Sequence, residues 1–309
     1  MKLKIELSFG IFKKRTEKCR SFIEKSCVLI DRMRPSGKYA TVRNYQTSIN
    51  SFDTFVKESK FADNQFDNKI VVLYEKWLRR HSVCANTSAC YMRYLRALYN
   101  QLHTDAVASP FEDVVTINAA TGKRSLSADD IRKIHALEFA DNDPLGLYRD
   151  IFLFSLLTFG MPFVDLVRMR HSDIVNGTIA FNRQKTSKPV RVVILPEAQR
   201  ILDKYRSEDS CYLFPQVSHS DNYQSYQHEL AKYNKALHKL TELAETDVTL
   251  TSYVARHTWA SLAYSNGVDL GIISQALGHT NLRTTQIYLR ELDIEKMRSA
   301  GMAVMNSIC

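Results

Sequence analysis

Apolar residues recur at three- and four-residue steps through most of the chain, and that spacing predicts helices. The first run, Phe12 to Met33, follows a short extended start, is basic, and closes at the Pro35-Ser36-Gly37 turn. Thr41 is placed to cap a second helix, on which Val42, Tyr45, Ile49, Phe52 and Val56 share one face. A third helix spans Asp67 to Arg80, with Ile70, Leu73, Tyr74, Trp77 and Leu78 in step. Thr87 opens a fourth that turns Tyr91, Leu95, Leu98 and Leu102 inward and leaves Arg93 and Arg96 elsewhere on its surface. Four such helices make a small bundle, with the tyrosines and the tryptophan read as core.

The period fades between Asp105 and Arg124, where Ser109-Pro110 and Thr121-Gly122-Lys123 have the composition of a linker. The expected division is therefore a helical domain over 1–105, a linker over 106–124 and a second domain over 125–309. Ser127 caps Asp129-Asp130-Ile131-Arg132-Lys133, acids leading and bases following as the helix dipole prefers. Leu147 to Phe159 is apolar nearly all round and should be central. Gly160 ends it, and Pro162 suits the first turn of the next helix. Only Ile179 to Arg183 and Val190 to Leu195 read as strands, joined through Gln184 to Pro189 as a hairpin. Helices over 197–206, 225–245, 252–265, 270–277 and 282–289 complete a mainly α fold: a four-helix bundle, then a mostly helical domain with a small β-hairpin.

Composition bounds the function classes. At 309 residues and 45% hydrophobic content each domain can bury its own core. Ile151 to Val164, the longest apolar run, is broken by Ser155 and Thr158 and is shorter than the roughly 18 residues of a membrane span, so it reads as a buried helix. Met1 to Gly10 is mixed in charge and lacks a signal-peptide core, which predicts a cytoplasmic protein without membrane attachment. None of the six cysteines forms a CxxC pair or sits near histidines at zinc-ligand spacing, so free buried thiols and no metal are expected. The first 60 residues hold 14 Lys and Arg against 6 Asp and Glu, a net +8 of the chain's +9. With Tyr39, Tyr45 and Phe52 interleaved, that excess points to a polyanion, most simply nucleic acid.

The last third carries a second signal. Tyr253 and Arg256 are three apart on one predicted helix, Gly267 and Gly278 bracket a short helix returning to His279, and Tyr288 follows nine residues later. Singly, a tyrosine on an amphipathic helix is usually core and a histidine after glycine is usually a cap. Jointly they suit phosphodiester cleavage: a phenolic oxygen attacks phosphorus while cationic donors stabilise the charge on the non-bridging oxygens.

The chain resembles the tyrosine recombinases, also called the phage integrase family. The resemblance rests on Ala255-Arg256-His257-Thr258-Trp259-Ala260, Leu277-Gly278-His279-Thr280 and Thr284-Thr285-Gln286-Ile287-Tyr288. Thr158 to Leu166 and Arg183-Gln184-Lys185-Thr186 fall in family order, and Asn86-Thr87 with Tyr91-Met92-Arg93 is similar to the family's SAM-like core-binding domain. The forms Gly-Met-x-Phe-Val-Asp and Tyr-x-x-Arg-His look closest to integrases and invertases of Bacteroides-type bacteria.

The resemblance implies a site-specific recombinase with Tyr288 as nucleophile, forming a 3′-phosphotyrosine link, and Arg256 and His279 as phosphate donors. Lys185 at the hairpin tip would protonate the leaving 5′-oxygen, and Arg43, Arg93, Arg96 and Lys188 would touch DNA. It implies no nucleotide or metal cofactor, and the absence of a GxxxxGK loop agrees. The implied partners are double-stranded DNA carrying specific sites and accessory DNA-bending proteins, the protein being a monomer when free and a homotetramer on two sites. The tail after Tyr288, with Leu292, Ile294, Met297 and Met302, would dock on a neighbouring protomer or pack on its own domain.

Two positions depart from the family pattern. Tyr253 stands where a histidine is usual, and can donate a hydrogen bond without being a cation at neutral pH. Pro162 stands where the first phosphate-binding arginine is expected. Arg168 and Arg170 on the next helix are candidate replacements, as are Lys123 and Arg124. A DNA-binding protein disabled by this loss, or an enzyme that relaxes supercoils without partner exchange, are the alternatives open at this point.

Overall fold

The helical spacing of the first third produces four helices, α1 (Phe22–Met33), α2 (Tyr39–Ser59), α3 (Asn68–Arg80) and α4 (Ala85–Leu102). This computed structural model describes residues 22–60, 66–104, 108–119, 125–218, 223–279 and 281–288, with Met302 and Met305. The side chains of Ser36, Arg283, Ile287 and Tyr288 lie outside that description, as do the expected helix over 12–21, Lys123, Arg124 and the tail calls at Leu292, Ile294 and Met297. The chain divides into two units, Met1–Thr121 and Gly122–Cys309.

In the first unit Val42, Tyr45, Ile49, Phe52 and Val56 of α2 are buried together with Ile70, Tyr74 and Leu78 of α3 and Leu95 and Leu98 of α4. Asp67 caps α3 by accepting from the Ile70 amide at 2.9 Å. Two expected helix starts are corrected. The helix after Gly37 begins at Tyr39 without a side-chain cap, so Thr41 is inside it, and α4 begins at Ala85, two residues before Thr87. Residues 108–119, expected within a linker, carry Phe111 and Val114 into this same core. Two isolated anchors in a run of turns have no period to betray them.

The second unit is wound around α6 (Pro144–Leu157), where six consecutive residues from Ile151 to Leu156 are buried. It starts earlier than the apolar run because Asp143 accepts from the Leu145 amide and Pro144 occupies the first turn. Ahead of it, α5 (Ala128–Ala136) opens with a capping box in which Ser127 and Asp130 bond reciprocally. After it come α7 (Phe163–Leu166) and a three-stranded antiparallel sheet, β1 (Ile174–Val175), β2 (Thr178–Asn182) and β3 (Pro189–Val193). The hairpin β2–β3 is as expected, with Ile179 opposite Val192 and Asn182 opposite Pro189. Strand β1 has two residues, too short to leave an alternation. Then α8 (Pro196–Tyr205), α9 (Tyr223–Ala244), α10 (Val254–Ser265), α11 (Leu270–Ala276) and α12 (Leu282–Tyr288) follow. Among the described residues no helix is long and apolar enough to cross a membrane.

Candidate active site

Three turns bring distant parts of the second unit to one point. The first ends α6: Phe159 and Gly160 both adopt positive φ, 60° and 68°, and a Cβ on Gly160 would lie 2.5 Å from Arg256 Cα. Only glycine lets this turn seat against the first turn of α10. The second ends α11, where Gly278 at φ 62° would, with a Cβ, sit 2.9 Å from Val190 Cγ2 and 3.1 Å from Arg183 Cγ. The third is the hairpin tip, closed by Arg183 N to Lys188 O at 2.8 Å and Ser187 N to Arg183 O at 2.7 Å.

Arg256 is 2% exposed. Its Nη1 donates to the Gly160 carbonyl at 3.1 Å, and its Nη2 donates to the Leu277 carbonyl and lies 3.2 Å from His279 Nε2. A guanidinium has no acceptor, so this contact requires a bare Nε2 and places the imidazole proton on Nδ1. Nδ1 then donates to Thr285 Oγ1 at 2.8 Å, from a threonine wholly buried on α12. His279 is thus neutral here. Its pKa is held down at about 4, first by burial and then by the positive charges of Arg256, Arg183 and Lys185.

Arg183, the residue after β2, is 5% exposed and meets the same carbonyl: its Nη1 donates to Leu277 O at 2.5 Å. Its Nε lies 2.8 Å from Asp165 Oδ2, and Asp165 Oδ1 accepts from the Gln184 amide at 2.8 Å. Asp165 is 2% exposed, and burial raises its carboxyl pKa against the opposing pull of the Gln184 amide, Arg183 and Arg256. Two guanidiniums on one carbonyl, beside a histidine whose pKa three cations depress, make a strongly electropositive centre suited to a phosphate.

Comparison with known families matches residues 124–294 to the phage integrase family and residues 21–107 to the phage integrase SAM-like domain. The chain belongs to the phage integrase family, the tyrosine recombinases. It is 24% identical over 259 residues to tyrosine recombinase XerD of Listeria monocytogenes serotype 4b, covering 80% of this chain and 86% of that one. XerD of Brucella suis is 35% identical over 121 residues, 36% of this chain and 37% of the relative. In fold the chain is similar to a lambda integrase dimer bound to a core site, with TM-score 0.66, 15% identity and coverage of 89% and 98%. The Tn1549 transposon integrase with circular intermediate DNA gives TM-score 0.66 at 13% identity, covering 92% and 99%. This recombinase is accordingly an enzyme of site-specific DNA recombination that cleaves and rejoins DNA strands.

The expected site residues distribute unevenly around that centre. Arg256 and His279 are in contact, and Lys185, exposed at the hairpin tip, is close enough to depress the His279 pKa. Lys188 Nζ donates to the His279 carbonyl at 3.3 Å and helps line a cleft of about 310 Å³ with Gly278, His279 and Asn281. Tyr288 is the last residue of α12, the helix that carries Thr285, and its side chain lies outside the described residues. Tyr253 is not on α10 but at its N-cap, 42% exposed, with its ring 5.9 Å from that of His257.

Neither arginine proposed to replace the missing one reaches Arg256 or His279 by a hydrogen bond among the described residues. Arg168 stacks over Tyr226 at 5.6 Å and donates to the Val164 carbonyl, and Arg170 stacks over Tyr212 at 5.5 Å. In the first unit Arg43 is exposed and Arg96 half-buried, while Arg93 donates to Thr116 O and Asn118 Oδ1, both at 2.8 Å. Sequence reasoning missed Arg183, Asp165 and Thr285 as members of the centre. A signal existed: Asp165 is a lone acid in the apolar stretch from Met161 to Val167, and a buried acid needs a cation.

Proposed function

We propose that Tyr288 attacks the scissile phosphorus of a DNA strand held by Arg256, His279 and Lys185. The Tyr288 Oη–P bond forms as the P–O5′ bond breaks, the phenolic proton leaves to solvent, and Lys185 gives a proton to the departing 5′-oxygen. The products are a 3′-phosphotyrosine and a free 5′-hydroxyl. Religation reverses these bonds with the 5′-hydroxyl of the partner duplex, so no nucleotide or metal is consumed. The observation that carries this reading is the contact between Arg256 on α10 and His279 in the turn after α11, with Arg256 also donating to the Leu277 carbonyl. The negative charge of a bound phosphate favours the imidazolium, which turns His279 Nε2 from acceptor into donor at the moment of need.

Exchange between two duplexes calls for four protomers on two sites, assembled from monomers, with accessory DNA-bending proteins shaping the DNA. The motif forms Gly160-Met161-Pro162-Phe163-Val164-Asp165 and Tyr253-Val254-Ala255-Arg256-His257 support the integrases and invertases of Bacteroides-type mobile elements as the subgroup. Arg43, Arg96 and Lys188 are the backbone contacts, with Arg93 bracing the chain beside them.

Incubation with nicked target DNA tests the chemistry. Wild type gives a covalent protein–DNA adduct that survives denaturation, and Tyr288→Phe gives none. An adduct formed equally by Tyr288→Phe, or by neither protein, overturns the assignment.

A further inference from the structure

We infer that Arg183 is the phosphate-binding guanidinium that the Pro162 position lacks, supplied from the residue after strand β2 instead of from the turn after α6. The inference rests on the proposed roles of Tyr288 and Arg256. Pro162 is buried and caps α7, its carbonyl accepting from the Asp165 amide at 2.9 Å. That turn brings Asp165 to Arg183, whose Nε it pairs at 2.8 Å. Nη1 is fixed on the Leu277 carbonyl beside Arg256, and Nη2 takes no partner among the described residues. A guanidinium so tethered has lost its side-chain freedom before any ligand arrives, which is the preorganisation an oxyanion site requires.

Electrostatics argue the same way. Arg183 and Arg256, both almost fully buried, share one acceptor, and Asp165 pairs with Arg183. Like charges held together in low dielectric raise the free energy of the empty site, and an arriving phosphodiester anion offsets it. The structural alternative is that Arg183 only pins the hairpin to α11 and so orients Lys185, two residues on. Pinning alone would act equally on any substrate, whereas a phosphate-binding role depends on the charge of the phosphate.

The test compares a normal nicked duplex with one whose scissile phosphate is replaced by methylphosphonate, in which an uncharged methyl takes the place of a non-bridging oxygen. On normal DNA, Arg183→Met slows adduct formation by about 100- to 1000-fold relative to wild type. On methylphosphonate the gap shrinks to less than about tenfold, because there is less charge to stabilise. Equal losses on the two substrates, or no loss on normal DNA, overturn the inference while wild-type adduct leaves the proposed chemistry standing. Failure of wild type itself to form adduct defeats that chemistry instead. Arg183→Met strands the Asp165 carboxylate, so the double variant Asp165→Asn/Arg183→Met, which buries no charge at either position, is read by the same criterion.

Discussion

The two units of this recombinase bury different things. In the N-terminal unit the core is aromatic and aliphatic: Phe22 stacks on Phe66 at 3.9 Å, Phe52 meets Tyr74 edge-on at 5.2 Å, and the only buried polar residues among those described are Ser26 and Ser48. In the C-terminal unit Asp130, Asp150, Asp165, Arg183, Glu229 and Arg256 are all buried. Burying a charge costs several kcal/mol unless it is paired, so the second unit carries an expense that the first avoids. Most of it is offset locally. Asp150 accepts from Arg149, Lys204 and Tyr205, and Glu229 from Tyr148 and Lys232. At the Leu277 carbonyl the cations outnumber the acids, and there the offset waits for a ligand. The contrast separates charge that stabilises a fold from charge kept for chemistry.

The sharpest way to break that contrast in the first unit is to hollow its core. Phe52 is fully buried among Phe22, Phe55, Phe66 and Tyr74, so Phe52→Ala should cost about 3–5 kcal/mol. The chain has two tryptophans, Trp77 in the first unit and Trp259 in the second. Urea unfolding followed by fluorescence in a Trp259→Phe background therefore reads the first unit alone. A loss below about 1 kcal/mol would mean that this core is not closely packed.

In the second unit the corresponding change strikes function. Arg256→Ala removes donors to Gly160 O, Leu277 O and His279, and adduct formation should fall by about 100- to 1000-fold, equivalent to about 2.7–4 kcal/mol. Single-turnover rates on nicked DNA measure it. A fall of less than about tenfold would remove Arg256 from the chemistry.

A smaller effect is set by pH. The folded pKa of His279, about 4, lies below its ordinary 6.5, so the unfolded chain takes up a proton first as pH falls. The stability His279 contributes is complete above about pH 6.5 and is lost progressively toward pH 4, by about 1–3 kcal/mol. His279→Gln should lack this component. The stability gap between wild type and variant, from denaturant unfolding at pH 7.5 and 4.5, should therefore narrow at the lower pH; a constant gap contradicts a neutral, half-buried imidazole.

What was legible in the sequence follows the same divide. Faces such as Val42, Tyr45, Ile49 and Phe52 repeat with the helix, so the bundle could be read almost to its ends. Phe111 and Val114 could not, because turns have no period. In the second unit Arg256, His279, Lys185 and Tyr288 stood out as family motifs. Arg183 was passed over as the last residue of an apolar strand, since its meaning lies in the approach of Leu277, 94 residues away, through the glycine turn at Gly278. The expectation that Arg168 or Arg170 fills the gap looked along the same segment for a cation, and both instead stack on tyrosines. Tyr253, expected on the helix of Arg256, is instead its N-cap, with its carbonyl accepting from the His257 amide at 3.2 Å.

If Arg183, Arg256, Lys185 and His279 surround the position of one phosphate, His279 reports on it directly. Histidine ring resonances, assigned with His279→Gln, can be titrated in Tyr288→Phe alone and bound to uncleaved target DNA. The expected pKa is about 4 in the free protein, rising by about 1–3 when the phosphate enters. A free value near 6.5, or a low value that DNA leaves unmoved, would contradict that arrangement.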